Sequence, residues 1–224
     1  MNPDIQTIAL IRHARSKAND DPAVYLTTPD HAISLSRPDD DPAALAAGQL
    51  LATLDLDPVD LCSWRSPYVR CVQTEALVMR RALGAGYDQV LRRDSFLLRE
   101  QEFGDWDGLS EAEMEARSPE RYARRARMSD HFGRFYFRYP AGESRADVVQ
   151  RISVFLGKLH RTSFRRHVLF LHGVTQRAFR MAWFNRSVDW FEAEPNPPNA
   201  TVLLIERDPV TGGWRERYLE SAAP

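Results

Sequence analysis

Two histidines in this chain stand directly behind short apolar runs: His13 after Ile8 to Ile11 and Arg12, and His172 after Val168 to Leu171. Apolar runs of that length with polar boundaries suit strands buried on both faces. In an open α/β sheet, ligands bind beyond the carboxyl ends of such strands. Arg12 sits beside the first histidine, and Arg70 falls in the early turns of a helix expected to begin at Ser66-Pro67. A serine cap followed by proline is a strong helix start, and a helix N-terminus with an arginine nearby is a natural anion site. Two arginines and two imidazoles around one point would form an anion pocket. Guanidinium groups favour phosphate there, because their planar fork meets the oxygens in pairs. Any one of these residues alone reads as a packed histidine or a solvated arginine; their convergence at one sheet edge is what points to phosphate chemistry.

That convergence requires a particular frame. The chain reads as alternating elements: strands over Ile8–Ile11, Val59–Trp64, Gln89–Arg92, His167–Leu171 and Thr201–Ile205, with helices over Ala43–Leu54, Ser66–Leu83, Leu109–Met128, Glu143–Leu159 and Thr175–Phe184. Strand–helix alternation implies an α/β fold with a mostly parallel sheet, so both histidines would reach the same edge. Thr211-Gly212-Gly213 turns the last buried strand into a hairpin with Trp214–Leu219. Leu97 to Gly108 has neither period and reads as a loop held rigidly against the body. Gly133 to Pro140 alternates, with Arg134, Tyr136 and Arg138 on one side and Phe135, Phe137 and Tyr139 on the other. It reads as an extended segment that packs its rings and presents its arginines.

Composition narrows the class. The chain has 224 residues, enough for one large domain. Its 43% hydrophobic and 27% charged residues are those of an ordinary globular protein. A net charge of −1 offers no global footprint for nucleic acid or a membrane surface. No secretory signal and no bilayer-length apolar run is visible. Cys62 and Cys71 form neither a disulfide framework nor a zinc pair and read as small buried residues, so the reducing cytoplasm is the expected compartment. There is no P-loop pattern and no carboxylate cage for magnesium, so a phosphate would be handled by side chains alone, without metal or cofactor.

Five segments, in order, carry a resemblance to a known family. Leu10-Ile11-Arg12-His13-Ala14-Arg15-Ser16, with Asn19, resembles the R-H-G-x-S-x-x-N signature of the histidine phosphatase (phosphoglycerate-mutase-like) superfamily. Ser66 to Thr74 resembles its S-P-L-x-R-A-x-Q-T helix start. Leu98 to Gly108 resembles its L-x-E-x-x-F-G-x-W-E-G loop. Pro140 to Ser144 resembles its P-x-G-E-S element, and Leu171-His172-Gly173 its S-H-G element. Together they span nearly the whole chain. The resemblance implies a three-layer α/β/α sandwich over residues 1–224, with a helical and loop cap at about 94–142. It also implies that His13 is the nucleophile of a phosphohistidine intermediate. Arg12, Arg70 and His172 would stabilise the phosphoryl oxygens, and Glu100 would be the general acid and then the base, with Glu102 as its rival in the same loop. Ser16, Asn19 and Gly173 are expected at the substrate. Thr175 and Arg177 read as capping groups as readily as site residues, and Asn199 reads as a turn residue rather than a ligand.

Departures from the pattern matter as well. Ala14 replaces the usual glycine, which is tolerable only if its φ is negative. Arg15 adds positive charge beside the nucleophile. Arg15, Arg65, Arg134 and Arg138 are either solvated or hold a second acidic group of the substrate. The expected function is a metal-independent phosphomonoesterase acting on a small phosphorylated substrate. The alternatives are a phosphoglycerate-type mutase and a weakly active phosphate-binding or scaffold protein. A homodimer is compatible with this reading.

Overall fold

A computed structural model describes residues 5–220. Six strands form one sheet in the order β3-β2-β4-β1-β5-β6. They are β1 (Thr7–Arg12), β2 (Leu61–Arg65), β3 (Leu91–Asp94), β4 (Arg166–Leu171), β5 (Val202–Arg207) and β6 (Trp214–Tyr218). The first four are mutually parallel; β5 pairs antiparallel with β1, and β6 antiparallel with β5.

The apolar runs bury both of their faces, which is why they read as unbroken rather than alternating. Ile8, Leu10, Leu169, Leu171, Leu203 and Ile205 face one core, shared with α6 (Arg145–Leu159) and α7 (Gly173–Phe184). Ala9, Ile11, Val168, Phe170, Val202 and Leu204 face the other, shared with α2 (Pro42–Ala52) and α3 (Val69–Leu83). Helices therefore cover both faces, which is the expected three-layer α/β/α arrangement. The remaining helices are α1 (Lys17–Asp20), α4 (Glu111–Arg117), α5 (Pro119–Phe132) and α8 (Val188–Ala193). No helix among the described residues is long and apolar enough to cross a membrane.

Several boundaries differ from the sequence reading, each for a local reason. The third strand runs Leu91–Asp94 rather than Gln89–Arg92, because the turn Gly84–Gln89 uses up the preceding residues. The helix expected over Leu109–Met128 breaks at Ser118, whose backbone is non-helical (φ −148°, ψ 68°), and α5 restarts at Pro119. Proline lacks the N–H that a continuous helix would need and fits the first helical position. Gly133 to Pro140 is not extended: Arg134–Tyr136 forms a 3-10 turn. Its alternation nevertheless holds as burial, with Phe135 and Phe137 inside and Arg134, Tyr136 and Arg138 outside. The helix expected from Ser66-Pro67 begins at Val69 behind Tyr68, which frees Ser66 for another use. Cys62 and Cys71 are buried free thiols, as expected.

Candidate active site

The parallel register brings the histidines together. Arg12 pairs with Leu171 across β1 and β4, and His13 N–H continues the ladder to the Leu171 carbonyl at 2.9 Å. On the far side of β4, Ser66 N–H donates to the Phe170 carbonyl at 2.9 Å. The side chains that follow β1, β2 and β4 thus emerge on one edge. The His13 and His172 rings lie 5.1 Å apart, at 60°.

Their tautomers follow from their partners. His13 Nδ1 is 2.8 Å from the Ala14 carbonyl, which can only accept. Nδ1 therefore carries the hydrogen, and Nε2 keeps its lone pair. Burial, reinforced by the charges of Arg70 and Arg12, holds this imidazole well below the ordinary histidine range and so neutral. His172 is fully buried, with Nε2 2.9 Å from Ser66 Oγ. Ser66 Oγ also accepts from Tyr68 N–H at 3.4 Å and keeps one proton that it can give to His172 Nε2. In the tautomer that accepts this proton, His172 Nδ1 is an N–H, and it has no partner among the described residues. Burial, then Arg70 and His13, push the His172 pKa well down too. Arg12 donates to the Pro197 carbonyl at 2.6 Å, and its Nε is buried with no partner among the described residues. The site thus combines a lone pair with unsatisfied donors, an arrangement suited to receiving an electrophile with anionic oxygens.

Arg70 is buried at the start of α3. Its Nη1 donates to the main-chain carbonyl of Asp30 at 2.6 Å and lies 2.8 Å from Asp30 Oδ1. Its guanidinium lies over the Tyr68 ring, 5.0 Å from the centroid.

The Glu100 carboxylate sits at the N-terminus of α7. Oε2 accepts from Val174 N–H at 3.3 Å; Oε1 accepts from Gln101 N–H at 3.0 Å and from Thr175 N–H at 3.3 Å. Glu102 points elsewhere: it pairs with Arg99 at 2.9 Å and is half exposed. Between these two glutamates, geometry selects Glu100 as the one that shares the anchored helix terminus with His172.

Much of the motif chemistry proves to be scaffolding. Thr74 Oγ1 accepts from Ala14 N–H at 2.9 Å, and Gln73 Oε1 accepts from Leu35 N–H at 2.8 Å. Glu143 receives Arg151 Nε at 3.0 Å and Arg99 Nη2 at 2.6 Å, while Arg151 also donates to the Leu97 and Glu100 carbonyls at 2.6 and 3.0 Å. Gly104 is needed where it stands: its φ is +58°, and a Cβ there would lie 2.1 Å from the Pro140 carbonyl oxygen. The 99–108 loop is thereby clamped against residues 140–143.

Ser16 and Asn19 bind each other: Ser16 N–H donates to Asn19 Oδ1 at 3.0 Å and Ser16 Oγ lies 3.1 Å from it. Asn199, read from sequence as a turn residue, donates to the His13 carbonyl at 2.8 Å and reaches Asn19 Oδ1 at 3.3 Å. Gly173 opens α7 against Asn196, where a Cβ would fall 2.8 Å from the side chain. Ala14 is fully buried and is not among the residues of positive φ, so its methyl group is accommodated without strain.

Three arginines expected at the substrate are not brought to this cluster. Arg15 pairs with Asp20 and is 64% exposed. Arg138 pairs with Asp147 at the first turn of α6. Arg134 is exposed beside Glu111, Tyr122 and Arg125. Among the described residues none of the three bonds to His13, His172, Arg12, Arg70 or Glu100. Asp30 and Arg151 were not singled out by sequence, while Ser66 was read as a helix cap and Asn199 as a turn residue.

Comparison with known proteins agrees with the geometry. The family model "Histidine phosphatase superfamily (branch 1)" matches residues 8–219. The chain is 34% identical over 231 residues to the phosphoglycerate mutase-like protein AT74 of Arabidopsis thaliana, covering 92% of this chain and 67% of that one. It is 33% identical over 135 residues to the broad-range acid phosphatase DET1 of Saccharomyces cerevisiae, covering 56% of this chain and 37% of that one. The fold superposes on mycobacterial hydrolase 1 with a TM-score of 0.71 at 23% identity, covering 97% and 99% of the two chains.

Proposed function

This chain belongs to branch 1 of the histidine phosphatase superfamily, and on that basis we propose that it hydrolyses phosphomonoesters of small molecules through a phosphohistidine on His13. His13 Nε2 attacks phosphorus, an N–P bond forms and the ester P–O bond breaks. The departing alkoxide takes a proton from Glu100. Glu100, now a carboxylate, takes a proton from water; the hydroxide attacks phosphorus, the N–P bond breaks and inorganic phosphate leaves. Arg70, the free Nε of Arg12 and His172 Nδ1–H meet the oxygens that gather charge during both transfers.

The observation that carries this reading is the state of His13: a buried, neutral ring whose Nδ1–H is committed to the Ala14 carbonyl. A lone pair is thus directed from Nε2 amid arginines. Metal independence is part of the proposal, with arginine and imidazole donors in the place of a cation. The similarity to a broad-range acid phosphatase supports hydrolysis.

Brief exposure to a radiolabelled phosphomonoester followed by denaturation tests it. The expected label is stable to base, labile to acid and absent from His13→Ala. An equal label on His13→Ala, or none on wild type, refutes the mechanism. Inorganic phosphate released in EDTA and without a bisphosphorylated primer separates hydrolysis from a mutase.

A further inference from the structure

Asp30 approaches Arg70 from a loop outside all five motifs. It lies in the turn Asp30–Ala32, and Arg70 Nη1 is 2.6 Å from its carbonyl and 2.8 Å from its carboxylate. The Asp30 side chain is 19% exposed and that of Arg70 3%, so this is an ion pair largely withdrawn from water. Such a pair is neither as mobile nor as screened as a surface bridge.

The same neighbourhood holds other acidic groups. Tyr25, in the turn Pro22–Leu26, packs against the loop after Trp106 so closely that a Cβ on Gly108 would fall 2.7 Å from Tyr25 Cβ. That contact fixes the neighbouring Asp107 within electrostatic reach of Asp30. Burial, and then the Asp30 charge, raise Asp107 to about 6, against the pull of the Gly108 N–H and of Arg70. Burial, and then Asp30, push Tyr25 up to about 12, with Asp107 and Glu100 adding to the effect and Arg70 opposing it. Three of the arginines that could offset a further anion are paired elsewhere: Arg15 with Asp20, Arg138 with Asp147, and Arg65 with Glu75 and Asp94.

We infer that Asp30 is a specificity-determining residue, whose carboxylate on Arg70 admits phosphomonoesters of uncharged, hydroxyl-bearing alcohols and disfavours those carrying a second phosphate or a carboxylate. This rests on the phosphatase reading above. Arg70 has donors beyond Nη1, so a phosphate can share the guanidinium with Asp30 instead of replacing it. The alcohol portion then meets Asp30 and Asp107, which accept hydrogen bonds from hydroxyl groups. A second anion meets like charges in a partly desolvated setting, where repulsion is weakly screened and discriminates by exclusion.

Glycerol 3-phosphate and 3-phosphoglycerate form a matched pair, differing by a hydroxymethyl against a carboxylate. Wild type is expected to favour the former in kcat/KM by at least about tenfold. Asp30→Asn and Asp107→Asn should each shrink that preference severalfold, chiefly by improving the carboxylate ester. If the pair turns over slowly, their inhibition constants against para-nitrophenyl phosphate carry the same ratio. A wild type that accepts 3-phosphoglycerate equally overturns the inference. So does an Asp30→Asn that accelerates both esters alike, which would make Asp30 a plug on Arg70 rather than a discriminator. Failure of the phosphatase reading looks different: no phosphate from any ester and no label on His13.

Discussion

The Thr175 hydroxyl lies 3.2 Å from Glu100 Oε1 and 2.6 Å from the Arg99 carbonyl. It has one proton and faces two acceptors. When that proton goes to Arg99, Thr175 Oγ1 presents a lone pair that only a protonated Glu100 can use. When it turns to Glu100, it supports the carboxylate. One hydroxyl therefore serves both states of a group that must donate and then accept a proton. Thr175→Val is expected to lower kcat about tenfold for esters with poor leaving groups, and less for para-nitrophenyl phosphate, whose leaving group needs no proton. Thr175→Ser should restore the activity. A valine variant that slows both kinds of ester alike would make Thr175 a packing residue.

Glu100 and Glu102 separate by substitution. Glu100→Gln removes the proton donor and should cost at least about 100-fold in kcat for esters with poor leaving groups. The loss should be smaller for para-nitrophenyl phosphate, whose leaving group needs no proton. Glu102→Gln breaks only a half-exposed pair with Arg99 and should stay within about threefold.

The Arg151–Glu143 pair is buried and clamps the loop that carries Glu100. Arg151→Met leaves the Glu143 carboxylate with less compensation, a change that typically costs about 3–5 kcal/mol. Denaturant titration should show that loss together with a fall in kcat. A stable but slow variant would assign the residue to positioning alone.

Ala14→Gly returns the usual family residue. Because Ala14 is buried, is not among the positive-φ residues and donates its N–H to Thr74, the substitution should not raise kcat. It should lower stability by about 1 kcal/mol through lost packing and added chain entropy. A large gain in activity would show that the methyl group obstructs the phosphate.

His167, buried beneath Trp64 and away from the site histidines, is lowered to about 4 by burial, with the Phe164 carbonyl and Asp60 opposing. A depressed histidine is protonated more readily in the unfolded chain. Its contribution is therefore fully present above about pH 6.5 and is lost as pH falls towards 4, a change of about 3 kcal/mol at most. Melting temperatures should drop across that interval, and His167→Gln should flatten the dependence. His13 and His172, lowered in the same direction, add to the slope in both proteins.

The central features were legible because they are local or periodic. Ile8–Ile11 and Val168–Leu171 are continuous apolar runs, and such runs must be buried on both faces wherever they lie. Residues that follow parallel strands emerge on one edge, so the meeting of His13 with His172 follows from chain order. Even the helix break carried a local signal: Ser118-Pro119 is the same pair that marked Ser66-Pro67. The tertiary structure decided which charges meet. Arg15 and Arg138 looked like substrate ligands, yet Asp20 and Asp147, each within one turn of a helix start, take them. Asp30 had no motif, yet a loop fold places it on Arg70. Ser66 changed from a helix cap to the partner of His172 because the helix starts two residues later, behind Tyr68. Periodicity encodes burial, which the chain reads out residue by residue. Ion pairing depends on side-chain distances, between near neighbours such as Arg15 and Asp20 as much as between distant ones such as Asp30 and Arg70, and only the packed chain sets those.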